Sequence, residues 1–450
     1  MRPEDKSVAA RRHETCKFSV RACSLVFSIA HFWRWGHGAG SSALPDGPVH
    51  LGTLKNLLQV IGLGGLEKTT VIVPTYNRGP LLVETLESLL GQTAIPDEII
   101  VVDDGSPDDT AARMAAYEDR VRFVRKENSG KADTLNRTIP TVKNELVWIV
   151  DDDDIILPHT HELLSGLLRQ NPQASFAYGR YDRFTVNETT GARKRFDGCH
   201  WRVVEPDLFF LATLQDFFAH HPGLLVRKSA YDAVGQFSMK YSRSEDYEML
   251  VRLARQFSCV CTQDIVFLQR QHDDPRVGDL VGEDKRFARW IFEQQEMFKE
   301  VRETGSLTDY LPKGAVTGSD LSPALTRQAL ITRGTVMMRK KLWDFAFVDL
   351  HAACQVAGAD GGLNARELWA IREALFSKYG CPELTADPSI ATRLVALRTE
   401  GPAGRAIAKT FARALAWFIR KAVTKGKMGD AAQLSRLALN LIAAPVPEKA

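Results

Sequence analysis

The chain has 450 residues, 44% hydrophobic and 25% charged, and 58 Lys and Arg against 55 Asp and Glu leave a net charge of +3. That composition excludes wholesale disorder and collagen-like repeats, and so even a balance gives no whole-chain case for a nucleic-acid partner. No run of 18 apolar residues is present, so no spanning helix is expected. The seven cysteines are scattered, with Cys259-x-Cys261 the only close pair. That spacing excludes a zinc framework or a dense disulfide scaffold and makes a reducing cytoplasm the simplest location.

Residues 1–65 do not read as a domain. Arg11, Arg12 and Arg21 precede a short apolar stretch, Ala22 to Trp33, and then a Gly/Ser/Pro-rich segment. His31, the Trp-Arg-Trp ending and the lack of a clear small-residue cleavage site argue against a signal peptide. A disordered leader, or a start codon assigned too far upstream, is expected instead.

From residue 66 to about 285 strands alternate with short helices. Thr69–Val73, Glu98–Val102, Val121–Val124 and Leu146–Val150 are β-branched or apolar runs. Between them, Leu81, Thr85, Leu86, Leu89 and Leu90 form one helical stripe, and Ala132, Leu135 and Ile139 the next. Such alternation predicts an α/β fold with a mostly parallel sheet covered by helices. From 286 to 450 strand signals fade, and helices are predicted at 285–302, 323–357, 364–379, 387–399, 403–424 and 429–443.

Ligands of open α/β sheets bind outside the carboxyl ends of the strands. After the first strand comes Pro74-Thr75-Tyr76-Asn77-Arg78, after the second Asp103-Asp104-Gly105-Ser106, and after the fourth Asp151-Asp152-Asp153-Asp154. A turn explains Asp103-Asp104-Gly105-Ser106 on its own. The tetrad is harder to explain as a plain loop, because four adjacent carboxylates behind a buried strand repel one another and lose solvation. A divalent cation with a preference for hard oxygens, Mn²⁺ or Mg²⁺, would relieve both penalties.

These four segments, Asn128-Ser129-Gly130-Lys131-Ala132 among them, occur in an order and spacing that resemble the motifs of family-2 glycosyltransferases over about residues 68–275. The resemblance implies a GT-A fold and an inverting, nucleotide-sugar-dependent transferase. It implies that Pro74 and Tyr76 lie against nucleobase and ribose, and that Asp104 hydrogen-bonds the base, usually uracil. Asp151 and Asp153 match the ends of the metal-binding D-x-D, with Asp153 the metal ligand and Asp151 acting on sugar or through water. The middle residue, commonly small in the family, is Asp152 here. Lys131 and Asn136 match donors near the sugar nucleotide.

Downstream, Ser244-Glu245-Asp246-Tyr247-Glu248 opens a predicted helix. Acids favour a helix's first turn, and Ser242-x-x-Glu245 could be a capping box. The segment from Arg227 to Arg255 nevertheless resembles the family's acceptor side, in which a Glu-Asp pair supplies the catalytic base. Asp246 matches that base, with Glu245 in support. Arg270 and His272 resemble the basic-then-His signature beside the diphosphate, which implies a phosphate contact for Arg270 and a phosphate or metal contact for His272. Residues 180–220, with Tyr181, Asp182, Arg183, Trp201 and Arg202, are expected to line the acceptor side.

The function expected is transfer from a nucleoside-diphosphate sugar, UDP first, to a hydroxyl on a glycan, lipid-linked or protein acceptor, in cell-surface polysaccharide or glycoconjugate synthesis. The alternative is a GT-A protein without catalysis that binds a nucleotide or a partner; the intact Asp153 and Asp246 argue against it. Residues 401–427 hold seven Lys/Arg and no acid, with Ile407, Phe411, Leu415, Phe418 and Ala422 on one face. That pattern fits either a helix packing on its neighbours or peripheral membrane contact through 403–424.

Overall fold

The computed structural model describes residues 67–443, apart from 188, 198–200, 273–282, 317, 319 and 360–361. The expected leader at 1–65 lies outside the described residues. Among those described, the strands are β1 (Thr69–Thr75), β2 (Glu98–Asp103), β3 (Arg122–Arg125), β4 (Leu146–Ile149), β5 (Ile155–Ile156), β6 (Phe176–Val186), β7 (Arg193–Asp197), β8 (Leu224–Arg227) and β9 (Cys259–Arg270). They form one sheet in the order β3-β2-β1-β4-β8-β6-β9-β5, with β7 paired to β6.

The first half of the sheet is parallel, with Val71 opposite both Ile99 and Trp148. Beyond β4 it becomes mixed: β8 runs antiparallel to both β4 and β6, and β9 is parallel to β6. The wholly hydrophobic strand runs predict burial on both faces, and the register delivers it. Ile72, Ile100 and Ile149 face one apolar layer, while Val71, Val73, Ile99 and Trp148 face the other.

The second layer is closed by helices α1 (Gly79–Leu90), α2 (Thr110–Met114) and α4 (Thr160–Gln170), through Leu82, Leu86, Leu89, Met114, Leu164 and Leu168. The first layer is covered by α3 (Lys131–Thr138), α5 (Phe209–Gln215), α6 (Lys228–Val234) and α7 (Glu245–Gln256). That layer continues without a break into the C-terminal helices. These are α8 (Glu283–Thr304), α9 (Pro323–Arg339), α10 (Trp343–Cys354), α11 (Ala365–Ala374), α12 (Glu383–Ala386), α13 (Pro388–Ala396), α14 (Gly401–Thr424) and α15 (Met428–Ile442). Phe298, Met337, Phe347, Ile371, Phe411 and Leu441 share one core with Ile72 and Leu250. Composition changes near residue 285, but the core is not divided there.

Polar groups also join the two regions. Lys340 is 3% exposed and donates to the Gln215 carbonyl at 3.0 Å and the Tyr247 hydroxyl at 2.8 Å. Burial, above all, holds its ammonium well below the ordinary lysine range. Arg339 pairs with Asp216.

The apolar stripe of α14 is used inside the molecule. Ile407, Phe411 and Leu415 are buried, and half-buried Phe418 packs on Phe376, ring centroids 5.0 Å apart. Helix-on-helix packing therefore accounts for this periodicity, and those three side chains are not available to lipid. Among the described residues no helix is long and apolar enough to cross a membrane.

Candidate active site

At the carboxyl ends of β1, β2 and β4 the chain opens a polar cleft of about 610 Å³. Pro74, Tyr76, Asp104, Lys131, Asp151, Asp153 and Asp246 all line it. Pairing of Thr75 with Asp103 sets the loop after β1 beside the loop after β2, and the Val150 N–H bonded to the Ile72 carbonyl sets the tetrad alongside. Asn77 takes a left-handed backbone, φ 55°, a conformation that asparagine tolerates better than most residues. Its N–H donates to Ser106 Oγ at 2.8 Å, and the neighbouring Tyr76 ring is left 40% exposed over the cleft.

The four carboxylates of the tetrad divide by environment. Asp152 accepts from Thr75 Oγ1 at 2.7 Å and Arg78 at 3.0 Å. Burial, eased by Arg78, raises its pKa. Asp154 accepts the Arg270 N–H at 2.9 Å. These two carboxylates brace the loop. Asp151 pairs with Lys131. Asp153 Oδ2 lies 2.8 Å from both Arg78 and His272 Nε2. Burial disfavours the Lys131 ammonium, yet Asp151, Glu245 and Asp246 outweigh it and lift its pKa.

Asp104 is 5% exposed and accepts the backbone N–H groups of Ser129 at 2.9 Å and Gly130 at 2.8 Å, with Lys126 beside it. It thus anchors the turn that opens α3. Asn136 clamps the backbone of Phe237 from both sides, at 2.9 and 2.7 Å. Arg270 sits behind the cleft. It is 6% exposed, donates to the Asp153 carbonyl at 2.9 Å and to Glu84 at 2.9 Å, and stacks over Phe184. In this arrangement its guanidinium holds the tetrad loop and faces protein groups.

Among the described residues no three His, Cys, Asp or Glu side chains converge into a metal cage. Two do meet, Asp153 Oδ2 and His272 Nε2, at 2.8 Å. Adjacent ligands of an octahedral ion with bonds of about 2.1 Å lie about 3 Å apart, so this oxygen and nitrogen are spaced like one edge of such a site, with Arg78 holding the same oxygen at 2.8 Å. Mg²⁺-type ions complete their shells with phosphates and water, so two protein ligands suffice.

Asp246 and Glu245 enter at the first turn of α7. Ser244 is the N-cap and makes no side-chain cap bond, so the capping box suggested by Ser242 and Glu245 does not form. Ser242 hydrogen-bonds Glu293 instead, at 3.1 Å. Burial, reinforced by Asp246, pushes the Glu245 carboxyl up to about 8. Half-buried Asp246 accepts the Tyr247 N–H at 2.7 Å; burial raises its pKa and Lys131 pulls it back. His220 also lines the cleft, and burial, helped by Arg183, holds it down at about 3, so its ring stays neutral.

The cleft also contains residues that sequence reading did not single out: Arg78, Phe217, His220, Arg243, Arg289 and Trp290. Arg78 was in plain view within the first motif, and the run of carboxylates was a signal that a cation must face them. Arg289 and Trp290 come from α8, which sequence composition assigns to the C-terminal region. Of the stretch 180–220 expected on the acceptor side, Phe217 and His220 line the cleft, whereas Tyr181, Asp182, Arg183, Trp201 and Arg202 do not. Tyr181 is buried in the core, Asp182 pairs with Arg195, and Arg202 pairs with Asp216.

Residues 70–235 match the family model described as Glycosyl transferase family 2. An uncharacterized glycosyltransferase of Rickettsia felis is 26% identical over 216 residues, covering 46% of this chain and 34% of that protein. One of Haemophilus influenzae is 29% identical over 188 residues, 42% of this chain and 62% of that protein. Glycosyltransferase GlyG of Streptococcus pneumoniae is 35% identical over 155 residues, 34% of this chain and 46% of that protein. The chain therefore spans between about a third and two thirds of these relatives' lengths. The crystal structure of S. aureus TarS 1-349 overlays with a TM-score of 0.44 and 14% identity, over 80% of this chain and 92% of that one, a likeness too low to carry argument. Residues 70–235, which hold the parallel half-sheet and the loops at the carboxyl ends of β1, β2 and β4, are thus similar to the family-2 glycosyltransferases.

Proposed function

We propose that the chain is an inverting glycosyltransferase, moving a sugar from a nucleoside-diphosphate sugar, UDP-linked first, to a hydroxyl acceptor in cell-surface polysaccharide or glycoconjugate synthesis. One observation carries the reading. Asp246, from the start of α7, opens into the same cleft as Tyr76, Asp104, Asp151 and Asp153, from the ends of three parallel strands.

On this reading the exposed Tyr76 ring and Pro74 receive the nucleoside, and Asp104 accepts from the base. Arg78 and Lys131 bring positive charge to the side where the diphosphate lies. Asp153 and His272 would hold a divalent cation, Mn²⁺ or Mg²⁺, which when bound neutralises charge on the leaving diphosphate. Glu245, protonated near neutrality, leaves the negative charge of the pair on Asp246. Asp246 takes the proton of the acceptor hydroxyl as its oxygen bonds to the anomeric carbon and the electron pair of the broken bond leaves with the diphosphate. A single displacement inverts the anomeric centre.

Any contact with an anionic membrane belongs, on this reading, to the outward face of α14, where Arg405, Lys409, Arg413 and Arg420 are exposed beside Trp417. The direct test is a calorimetric and hydrolysis screen of nucleotide sugars with Mn²⁺. UDP should bind with metal, and Asp153→Ala should weaken that binding. Equal UDP affinity with and without EDTA contradicts the metal site.

A further inference from the structure

A second cavity, of about 470 Å³, lies between α5 and the helices α9 and α11. Its walls are mainly hydrocarbon: Val203, Leu208, Leu211 and Ala212 from one side, Trp369 and Ala370 from the other. Trp369 and Val203 remain 44% and 49% exposed, which leaves apolar surface at the mouth. The volume is in the range of small-molecule sites, about 300–1,000 Å³, and an apolar wall with few polar groups is their usual composition.

The charges at the rim are Arg202, Arg366 and Glu205. Arg202 donates to Gln215 at 3.0 Å and to Asp216 at 2.9 Å, but Asp216 is shared with Arg339. Exposed Arg366 has no carboxylate partner among the described residues. Two guanidiniums against one carboxylate leave the mouth net positive.

We propose that this cavity is a binding site for a single-chain anionic amphiphile, with the hydrocarbon chain against Leu208, Leu211 and Trp369 and the anionic head at Arg366. The site exists only because the C-terminal helices pack on α5. The same helix reaches the proposed catalytic carboxylate from another side: the Thr213 carbonyl accepts the hydroxyl of Tyr247, the residue next to Asp246, at 2.6 Å. A ligand in the cavity would thus sit about one helix diameter, roughly 10 Å, from that carboxylate.

The test is calorimetric titration of the full chain with dodecyl phosphate below its micelle concentration, with no sugar nucleotide present, so that failure of the proposed transferase activity cannot affect it. Dodecyl maltoside and inorganic phosphate are the control probes. The expected result is saturable binding of dodecyl phosphate, weaker binding of dodecyl maltoside, and none of phosphate. Ala365→Trp, at an exposed position on the wall, should weaken both amphiphiles at least tenfold by filling the mouth. Arg366→Glu should weaken dodecyl phosphate about tenfold and leave dodecyl maltoside unchanged. No binding by the natural chain, equal binding of the two amphiphiles, or unaltered binding in both variants overturns the proposal.

Discussion

Asp151 to Asp154 show how neighbouring residues of one type take different tasks from their surroundings. Asp154 turns inward to the Arg270 backbone, Asp152 is held by Thr75 and Arg78, Asp153 by Arg78 and His272, and Asp151 by Lys131, the last three all lining the cleft. Glu245 and Asp246 divide in the same way. Burial and the charge of Asp246 raise the Glu245 pKa to about 8, against an ordinary value of 4.5. Between those pH values the folded chain keeps a proton that the unfolded chain has released. Stability therefore falls as pH rises through that window, by an amount on the order of a few kcal/mol. Glu245→Gln removes this titration. Its urea midpoint should change less than that of the natural chain between about pH 5 and pH 8, and should equal or exceed it at the upper end. Parallel pH profiles for the two proteins would show that Glu245 ionises normally.

At the scale of elements, periodicity was a good guide wherever the side chains of one segment settle the outcome. The strands β1, β2 and β4 and the stripe of α1 are legible because each buries its own alternate or every-third-and-fourth residues. The motif residues converge because the parallel register aligns the strand ends. Arg289 and Trp290 were not legible, since nothing in α8 itself says that it folds back over the cleft. Tyr181 and Arg202 lie away from the cleft for a related reason: long polar and aromatic side chains serve as core and ion-pair partners as readily as ligands. The α14 stripe gives a clean check. Phe411 is fully buried, so Phe411→Asp should cost at least about 3 kcal/mol, by loss of packing and burial of a charge. Thermal denaturation measures this. An unchanged midpoint would mean that the stripe is free, and flotation with anionic liposomes would then be its natural role.

At the largest scale, among the described residues, the apolar layer on one face of the sheet runs unbroken across two compositions. The half before residue 285 carries the motifs, but α5 and α7 are covered by Phe298, Met337 and Lys340 from the half after it. A chain ending at Thr304 would expose that surface, lose the Lys340 bonds to Gln215 and Tyr247, and leave Asp216 without Arg339. We expect it to aggregate or lose its cooperative transition, whereas separable domains would yield a soluble fragment that binds UDP with metal. The arrangement also explains why a cleft built by family motifs is lined in part by a helix beyond them. In the proposed function its chemistry rests on Asp246, and the most direct measurement is of Asp246→Asn. Donor binding by calorimetry should stay within about twofold, because the carboxylate lost serves the acceptor proton and not the phosphates. Turnover should fall by roughly 10²–10⁴, the range of general-base contributions. A variant that keeps more than about a tenth of the natural rate would show that another group takes the proton, and the account of the site would be wrong at its centre.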